Sequence, residues 1–245
     1  MGTRCNQRKS EIKAIAPNLR TFRCGNCGTR KFSFKDLHHL DHACFTFETK
    51  YFQDDGYVHR ATSFVEALCP YIQSLTLKKS AVEAVFGSPT VLENASLQFR
   101  NLKYLELTAC LSRNCVMAIM HLLKLSPNIK TLNLVISEEA SNWTNMANYG
   151  NLWISKECLL QHRRFVKILG VMGSDNEIMH LELLLKNSVV LEEVIVSSGD
   201  KFLPRMLVDF FKKVMAIPRA SSQRFPIRFS YPPSTISEYY RSFLN

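Results

Sequence analysis

The sequence predicts an α/β repeat fold, a curved sheet of short parallel strands with helices on its convex side. Two observations predict it. A phrase of the form apolar-x-x-apolar-x-apolar recurs along the 245 residues, and between its copies the apolar spacing changes from period two to period 3.6. Such a unit cannot bury its own apolar face, so several must stack.

The phrases come in order. Pro17-Asn18-Leu19-Arg20-Thr21-Phe22 near the start resembles Pro127-Asn128-Ile129-Lys130-Thr131-Leu132, and between them lie Pro70-Tyr71-Ile72-Gln73-Ser74-Leu75-Thr76-Leu77 and Arg100-Asn101-Leu102-Lys103-Tyr104-Leu105-Glu106-Leu107. The apolar slots are Leu19/Phe22/Cys24, Ile72/Leu75/Leu77, Leu102/Leu105/Leu107, Ile129/Leu132/Leu134 and Leu191/Val194/Val196. Weaker copies are Leu40/Ala43/Phe45 and Arg163/Val166/Ile168. Successive second slots are 21, 32, 30, 27, 34 and 28 residues apart, an irregular period that suits leucine-rich repeats carrying insertions. The second and third slots alternate with polar residues, so each unit begins with a short strand whose apolar side chains face inward.

Helical stripes follow the strands. Val116, Ile119, Met120 and Leu123 form one, and Leu207, Phe210, Phe211 and Val214 another. Ser174 with Glu177 three residues later is a capping box, ahead of a buried face of Ile178, Leu181, Leu184 and Leu185. A doubly wound sheet also alternates strand and helix, but no Gly-rich phosphate-binding turn is present and that fold leaves the repeated phrases unexplained.

Composition narrows the function. With 46% apolar residues the chain can bury a full core. No run approaches the length of a membrane span and the first 20 residues lack a secretory apolar segment, which places the chain inside the cell, in cytoplasm or nucleus. Met1-Gly2 opens like a myristoylation signal, but Asn6 stands where Ser or Thr is needed. Net charge is +10, and residues 1 to 35 hold nine Lys/Arg against one acid, Glu11. Such a lobe attracts anions non-specifically and motivates the alternative reading, a basic nucleic-acid-binding module.

Eight cysteines without a signal peptide point to reduced thiols. Cys24-Gly25-Asn26-Cys27, with His38, His39, His42 and Cys44 downstream, invites zinc. The repeat accounts for the sulfurs independently: Cys24 fills a third apolar slot, and Cys27 and Cys110 fall where the repeat consensus takes Asn or Cys. No metal and no cofactor is therefore expected. No Ser or Cys sits in a nucleophile elbow, so no catalytic residue is expected either. Asp54-Asp55-Gly56 reads as a loop, and Trp143 and Trp153 bracket a polar stretch that reads as an insertion between repeats.

At this point the residues resemble a plant family. Cys158-Leu159-Leu160, the run Val166 to Gly173, the run Glu177 to Asn187, Val190-Leu191-Glu192-Glu193-Val194 and the phrase Ile217-Pro218-Arg219-Ala220-Ser221-Ser222 resemble an FBD domain. Residues 15 to 136 resemble the leucine-rich repeats that precede it in plant F-box/FBD proteins. The charge run marks a basic segment at 1–14, and the resemblance implies leucine-rich repeats at 15–150 and an FBD-like portion at 151–230, leaving a tail at 231–245. It also implies a non-catalytic substrate-recognition module of a cullin-type ubiquitin ligase receptor. The family's F-box, which recruits the ligase adaptor, has no counterpart in MGTRCNQRKSE, so adaptor binding is not expected of this sequence.

The expected partner is a protein substrate held on the concave strand face. Alternation makes Arg23, Thr76, Lys78, Tyr104, Glu106, Asn133 and Lys167 the candidate contacts. Their mixed chemistry, with Glu106 among the cations, fits a protein surface better than a phosphate-tracking groove, so neither nucleic acid nor membrane is expected as partner.

Overall fold

A computed structural model describes residues 11–25, 27–46, 55–87, 97–109, 113–137, 164–187, 190–199, 204–218 and 225–230. Ten strands are described: β1 (Glu11–Ile15), β2 (Thr21–Gly25), β3 (Lys31–Lys35), β4 (His42–Thr46), β5 (Ser74–Leu77), β6 (Tyr104–Ala109), β7 (Thr131–Ile136), β8 (Phe165–Val171), β9 (Glu193–Ser198) and β10 (Ile227–Ser230). The helices are α1 (Asp55–Leu68), α2 (Lys79–Phe86), α3 (Arg113–Lys124), α4 (Asp175–Asn187) and α5 (Pro204–Met215). Eight strands form one sheet in the order β2-β4-β5-β6-β7-β8-β9-β10, and β1 pairs with β3 in a second. Every pairing is parallel and the spatial order of the large sheet follows the chain. The fold is therefore α/β, with a parallel sheet running through all the repeated phrases.

Register turns the repeat into rows. Phe22, Ala43, Leu75, Leu105, Leu132, Val166, Val194 and Ile227 are laid side by side, and so are Cys24, Phe45, Leu77, Leu107, Leu134, Ile168, Val196 and Phe229. These rows face the core: Ala43, Phe45, Leu75, Leu77, Leu105 and Leu107 are fully buried. The first slots make a third buried line through Leu40, Ile72, Leu102, Ile129 and Leu191. Each buried Leu, Ile or Phe contributes roughly 1.5–3 kcal/mol relative to exposure, so the rows are the main stabilising element.

The backbone repeats as closely as the side chains. The first-slot N–H bonds back three residues in Leu19→Ala16, Leu40→Leu37, Leu102→Phe99 and Ile129→Ser126, a turn that delivers the chain into each strand. The next carbonyl accepts two N–H groups from the following unit: Arg20 from Asp41 and His42, Asp41 from Gln73 and Ser74, Gln73 from Lys103 and Tyr104, Lys103 from Lys130 and Thr131, Lys130 from Arg164 and Phe165, and Arg164 from Glu192 and Glu193. Asparagine ties the turns as well. Asn101 Nδ2 donates to the Pro70 carbonyl at 2.6 Å, and Asn128 Nδ2 to the Arg100 carbonyl at 2.7 Å.

The helical stripes pack as expected. Val116, Ile119, Met120 and Leu123 of α3 are buried, as are Phe210 and Val214 of α5, while Phe211 is half-buried. The capping box of α4 closes with Ser174 N–H donating to Glu177 Oε2 at 2.7 Å and Glu177 N–H to Ser174 Oγ at 3.3 Å. Met172 N–H reaches the same carboxylate at 2.9 Å. Gly170, at φ +79°, sits at an irregularity of β8 where an added Cβ would meet the Ile136 carbonyl oxygen at 2.7 Å.

Two expectations need correction. Asp55-Gly56 begins helix α1 rather than belonging to a loop, because Tyr57, Ala61, Phe64, Val65 and Leu68 form a stripe that buries against the sheet. The first crossover holds a strand, β3, where the later crossovers that are described hold helices. The 21-residue spacing of the first two units leaves little room for more, and Phe32 and Phe34 pack edge-on against Phe22 and Phe64, with Phe32 and Phe64 centroids 4.9 Å apart.

Several readings fall outside the described residues: Asp54, Cys110, the Trp143 and Trp153 stretch, Cys158 to Arg163, positions 219–224, the tail from 231, and the side chains of Cys27 and Leu207.

Candidate functional site

The face of the sheet opposite the core rows is mainly polar. Its middle row reads Arg23, Cys44, Thr76, Glu106, Asn133, Lys167, Ile195, Arg228 across eight strands, so five of the seven candidate contacts lie in one line. Tyr104 belongs to the adjoining row, Thr21, His42, Ser74, Tyr104, Thr131, Phe165, Glu193. Lys78 is exposed but follows β5 at the cap of α2, off both rows. Thr76 shares the row yet is buried, so it offers a partner little surface. Arg23 is exposed; Tyr104, Glu106, Asn133 and Lys167 are half-buried.

The centre of the face is a hydrogen-bonded patch. Asn133 Nδ2 donates to the Tyr104 hydroxyl at 2.6 Å, and that hydroxyl donates to Glu106 Oε2 at 3.1 Å. Burial first, then the bond to Glu106 and its charge, raise the Tyr104 ionisation above its usual value. Toward β4, His42 Nδ1 and Ser74 Oγ share a hydrogen bond of 2.8 Å, and burial followed by the Arg23 guanidinium holds His42 below the usual imidazole value. Toward β10, Arg228 Nε pairs with Glu193 Oε1 at 2.8 Å. Phe165 is 41% exposed beside these groups. Fixed polar groups interleaved with an exposed aromatic suit recognition of another macromolecule.

Sequence reasoning missed His42, Ser74, Phe165, Glu193, Ile195 and Arg228 on this face. The alternation that selected Tyr104 and Glu106 applies equally to them.

The face has a basic rim where the strands begin. Arg100, Asn101, Lys103, Asn128, Lys130, Arg164 and Val190 line an open cleft of ≈ 400 Å³. Lys103 Nζ donates to Gln73 Oε1 at 3.1 Å, Arg100 Nε to Gln98 Oε1 at 2.9 Å, and Arg164 Nη1 pairs with Glu192 Oε1 at 3.1 Å. A different cavity, of ≈ 40 Å³, lies under α3 and α4 among Leu132, Leu134, Ile168, Glu177, His180 and Leu181. Its volume suits a water molecule or two, not a ligand.

The zinc candidates are separated by register. Cys44 stands opposite Arg23 on the polar face, whereas Cys24 stands opposite Phe45 in a core row. Among the described residues no cluster of three or more His, Cys, Asp or Glu is placed to hold a metal ion. Cys44 and Cys69 are free thiols, and burial pushes the Cys69 thiol up. No described helix is long and apolar enough to cross a membrane.

A protein of Arabidopsis thaliana named as an F-box/FBD/LRR-repeat protein is 26% identical to this chain over 206 residues, which cover 78% of the chain and 41% of the relative. That similarity agrees with the plant family the sequence resembles. The chain spans less than half the length of this relative. No family model matches the chain. No solved structure matches it.

Proposed function

We propose that the chain is a non-catalytic protein-binding module whose partner docks on the open strand face, comparable to the substrate-recognition part of a ubiquitin ligase receptor, and that its stacked units form a leucine-rich-repeat solenoid with an FBD-like portion from residue 151. The observation that carries the reading is the row from Arg23 to Arg228: chemically mixed side chains held at one register across eight parallel strands. The six carbonyls that each accept two N–H groups from the next unit support the solenoid, because each unit is bonded to its neighbour in the same way. The name of the Arabidopsis relative supports the family, and with it the expectation of a captured protein.

Recruitment of a ligase adaptor is a separate function. In our reading this chain captures a partner without binding the adaptor by itself, and works inside the cell. Affinity capture from a plant extract beside a direct adaptor-binding assay tests both halves. Specific recovery of a protein with no adaptor binding is expected. Micromolar adaptor affinity, about −8 kcal/mol, would overturn the second half. Retention of the chain on a DNA column with steep salt dependence, and no captured protein, would overturn the first.

A further inference from the structure

We propose that the cleft lined by Arg100, Lys103, Lys130 and Arg164 receives an oxyanion carried on the bound peptide, either a phosphoseryl group or a run of carboxylates. This deepens the protein-binding reading and rests on it.

The repeat builds the cleft. Lys103, Lys130 and Arg164 hold the same position in three consecutive units, the residue whose carbonyl accepts two N–H groups from the next strand. Adjacent strands lie about 4.8 Å apart, so three cationic stems stand within about 10 Å of one another. Arg100 comes in from the preceding turn to complete the wall.

The wall is held in place before anything binds. Asn101 and Asn128 tie the turns to the units before them, and Gln73, Gln98 and Glu192 hold Lys103, Arg100 and Arg164. Groups fixed in advance lose less freedom when they bind. The backbone N–H groups at the leading ends of these strands are consumed by the ladder, so the available donors are the charged side chains. Donors of that kind favour a group with several negative oxygens.

The extent of the cleft favours a peptide over a nucleic acid. Following the same position outward, the next units present Gln73 and Asp41 on one side and Glu192 on the other. Gln73 Nε2 donates to Asp41 Oδ1 at 3.1 Å. A polynucleotide would carry its phosphates past these groups and meet carboxylates at both ends, whereas one or two anionic side chains end within the cationic span. The border is apolar: Val190, 42% exposed, lines the cleft, and Phe165, 41% exposed, follows Arg164 onto the open face. An acidic group next to an apolar side chain matches that arrangement.

The test is fluorescence anisotropy on the full chain with a labelled ten-residue peptide of glycine and valine carrying two phosphoserines. Its glutamate and serine versions and a ten-nucleotide single strand serve as comparisons. The phosphopeptide is expected to bind at least about tenfold more tightly than the serine peptide, with inorganic pyrophosphate competing. Lys103→Glu with Lys130→Glu should remove that advantage. The charge-matched pair Lys35→Glu with Lys212→Glu, also exposed, should keep it. A glutamate peptide that binds as well identifies carboxylates as the source, and one that binds like serine identifies phosphate. All four substituted lysines are exposed, so each variant should melt like the parent; Lys103→Gln with Lys130→Gln serves in its place if the reversed pair does not fold. Equal binding of phosphoserine and serine peptides, equal loss in both charge-reversed pairs, or tighter cleft-dependent binding of the oligonucleotide would each overturn the proposal. Failure here leaves the open face untouched, because Tyr104 and Glu106 do not line the cleft.

Discussion

Tyr104 and Glu106, two residues apart on β6, point to the same face of the sheet, and the tyrosine hydroxyl donates to the carboxylate at 3.1 Å. Asn133 on the neighbouring strand donates to that hydroxyl, so the three groups act as one unit across two repeats. Glu106 favours the protonated phenol twice, as hydrogen-bond acceptor and as negative charge. Glu106→Gln should therefore move the Tyr104 ionisation down toward its ordinary value. An ultraviolet pH titration, taken as the difference from Tyr104→Phe, measures this. An unchanged midpoint would show that the two residues are not coupled.

The alternation of β6 makes a sharper contrast. Leu105 is fully buried between the half-buried Tyr104 and Glu106. Leu105→Asp should cost at least about 3 kcal/mol, through an unpaired buried carboxylate and lost packing, whereas Glu106→Lys should cost under about 1 kcal/mol. Urea unfolding of the two variants checks it, and equal losses would contradict the register.

Helix α4 carries an acid-sensitive group. Burial holds His180 below the usual imidazole value of 6.5, with the Asn176 carbonyl working weakly against it. A depressed folded pKa means that the unfolded chain binds the proton more tightly, so the contribution to stability is present above 6.5 and falls as pH drops. Glu177, one turn away, is shifted up from 4.5 by burial, offset by N–H groups of Met172 and Ser174, and so favours the folded state as pH falls toward 4.5. His180→Leu should flatten the stability profile between about pH 5 and 7. Glu177→Gln should remove the opposing arm, the part of the profile that gains stability as pH falls toward 4.5. Chemical unfolding across the range separates the two, and an unchanged profile in His180→Leu would count against the assignment.

Gly170 tests the irregularity in β8. At φ +79° with the Ile136 carbonyl 2.7 Å from a built Cβ, Gly170→Ala should destabilise by about 1 kcal/mol or more, read as a lowered melting temperature. An unchanged melting temperature would mean that the strand can relax without loss.

The core rows and three of the five described helices were legible because apolar spacing encodes them directly. Leu105 and Leu107 announce a half-buried strand, and Ser174 with Glu177 announces a helix start. Helix α2 was not legible, since eight residues give two turns and too little periodicity. Helix α1 was masked by Asp55-Gly56, a pair that favours turns but is tolerated in a first helical turn when Phe64, Val65 and Leu68 bury behind it. Strands β1 and β3 are short, and β3 is recognisable only once Phe32 and Phe34 are seen against Phe64. Of the site, alternation gave Tyr104, Glu106, Asn133 and Lys167 their face. The basic rim escaped because Lys103, Lys130 and Arg164 are far apart in the chain. Aligning the units at the position two before each second slot would have lined them up.

The central claim is that partners dock on the open strand face, and paired surface variants test it most directly. Tyr104→Ala combined with Lys167→Glu alters that face, and Val208→Ala combined with Lys212→Glu alters exposed positions of α5. Quantified capture of a partner by the parent chain and both variants, each shown to melt alike, is the measurement. A loss of at least about tenfold in the strand-face variant with none in the α5 variant is predicted. Loss confined to the α5 variant, or undiminished capture by the strand-face variant, would contradict the account.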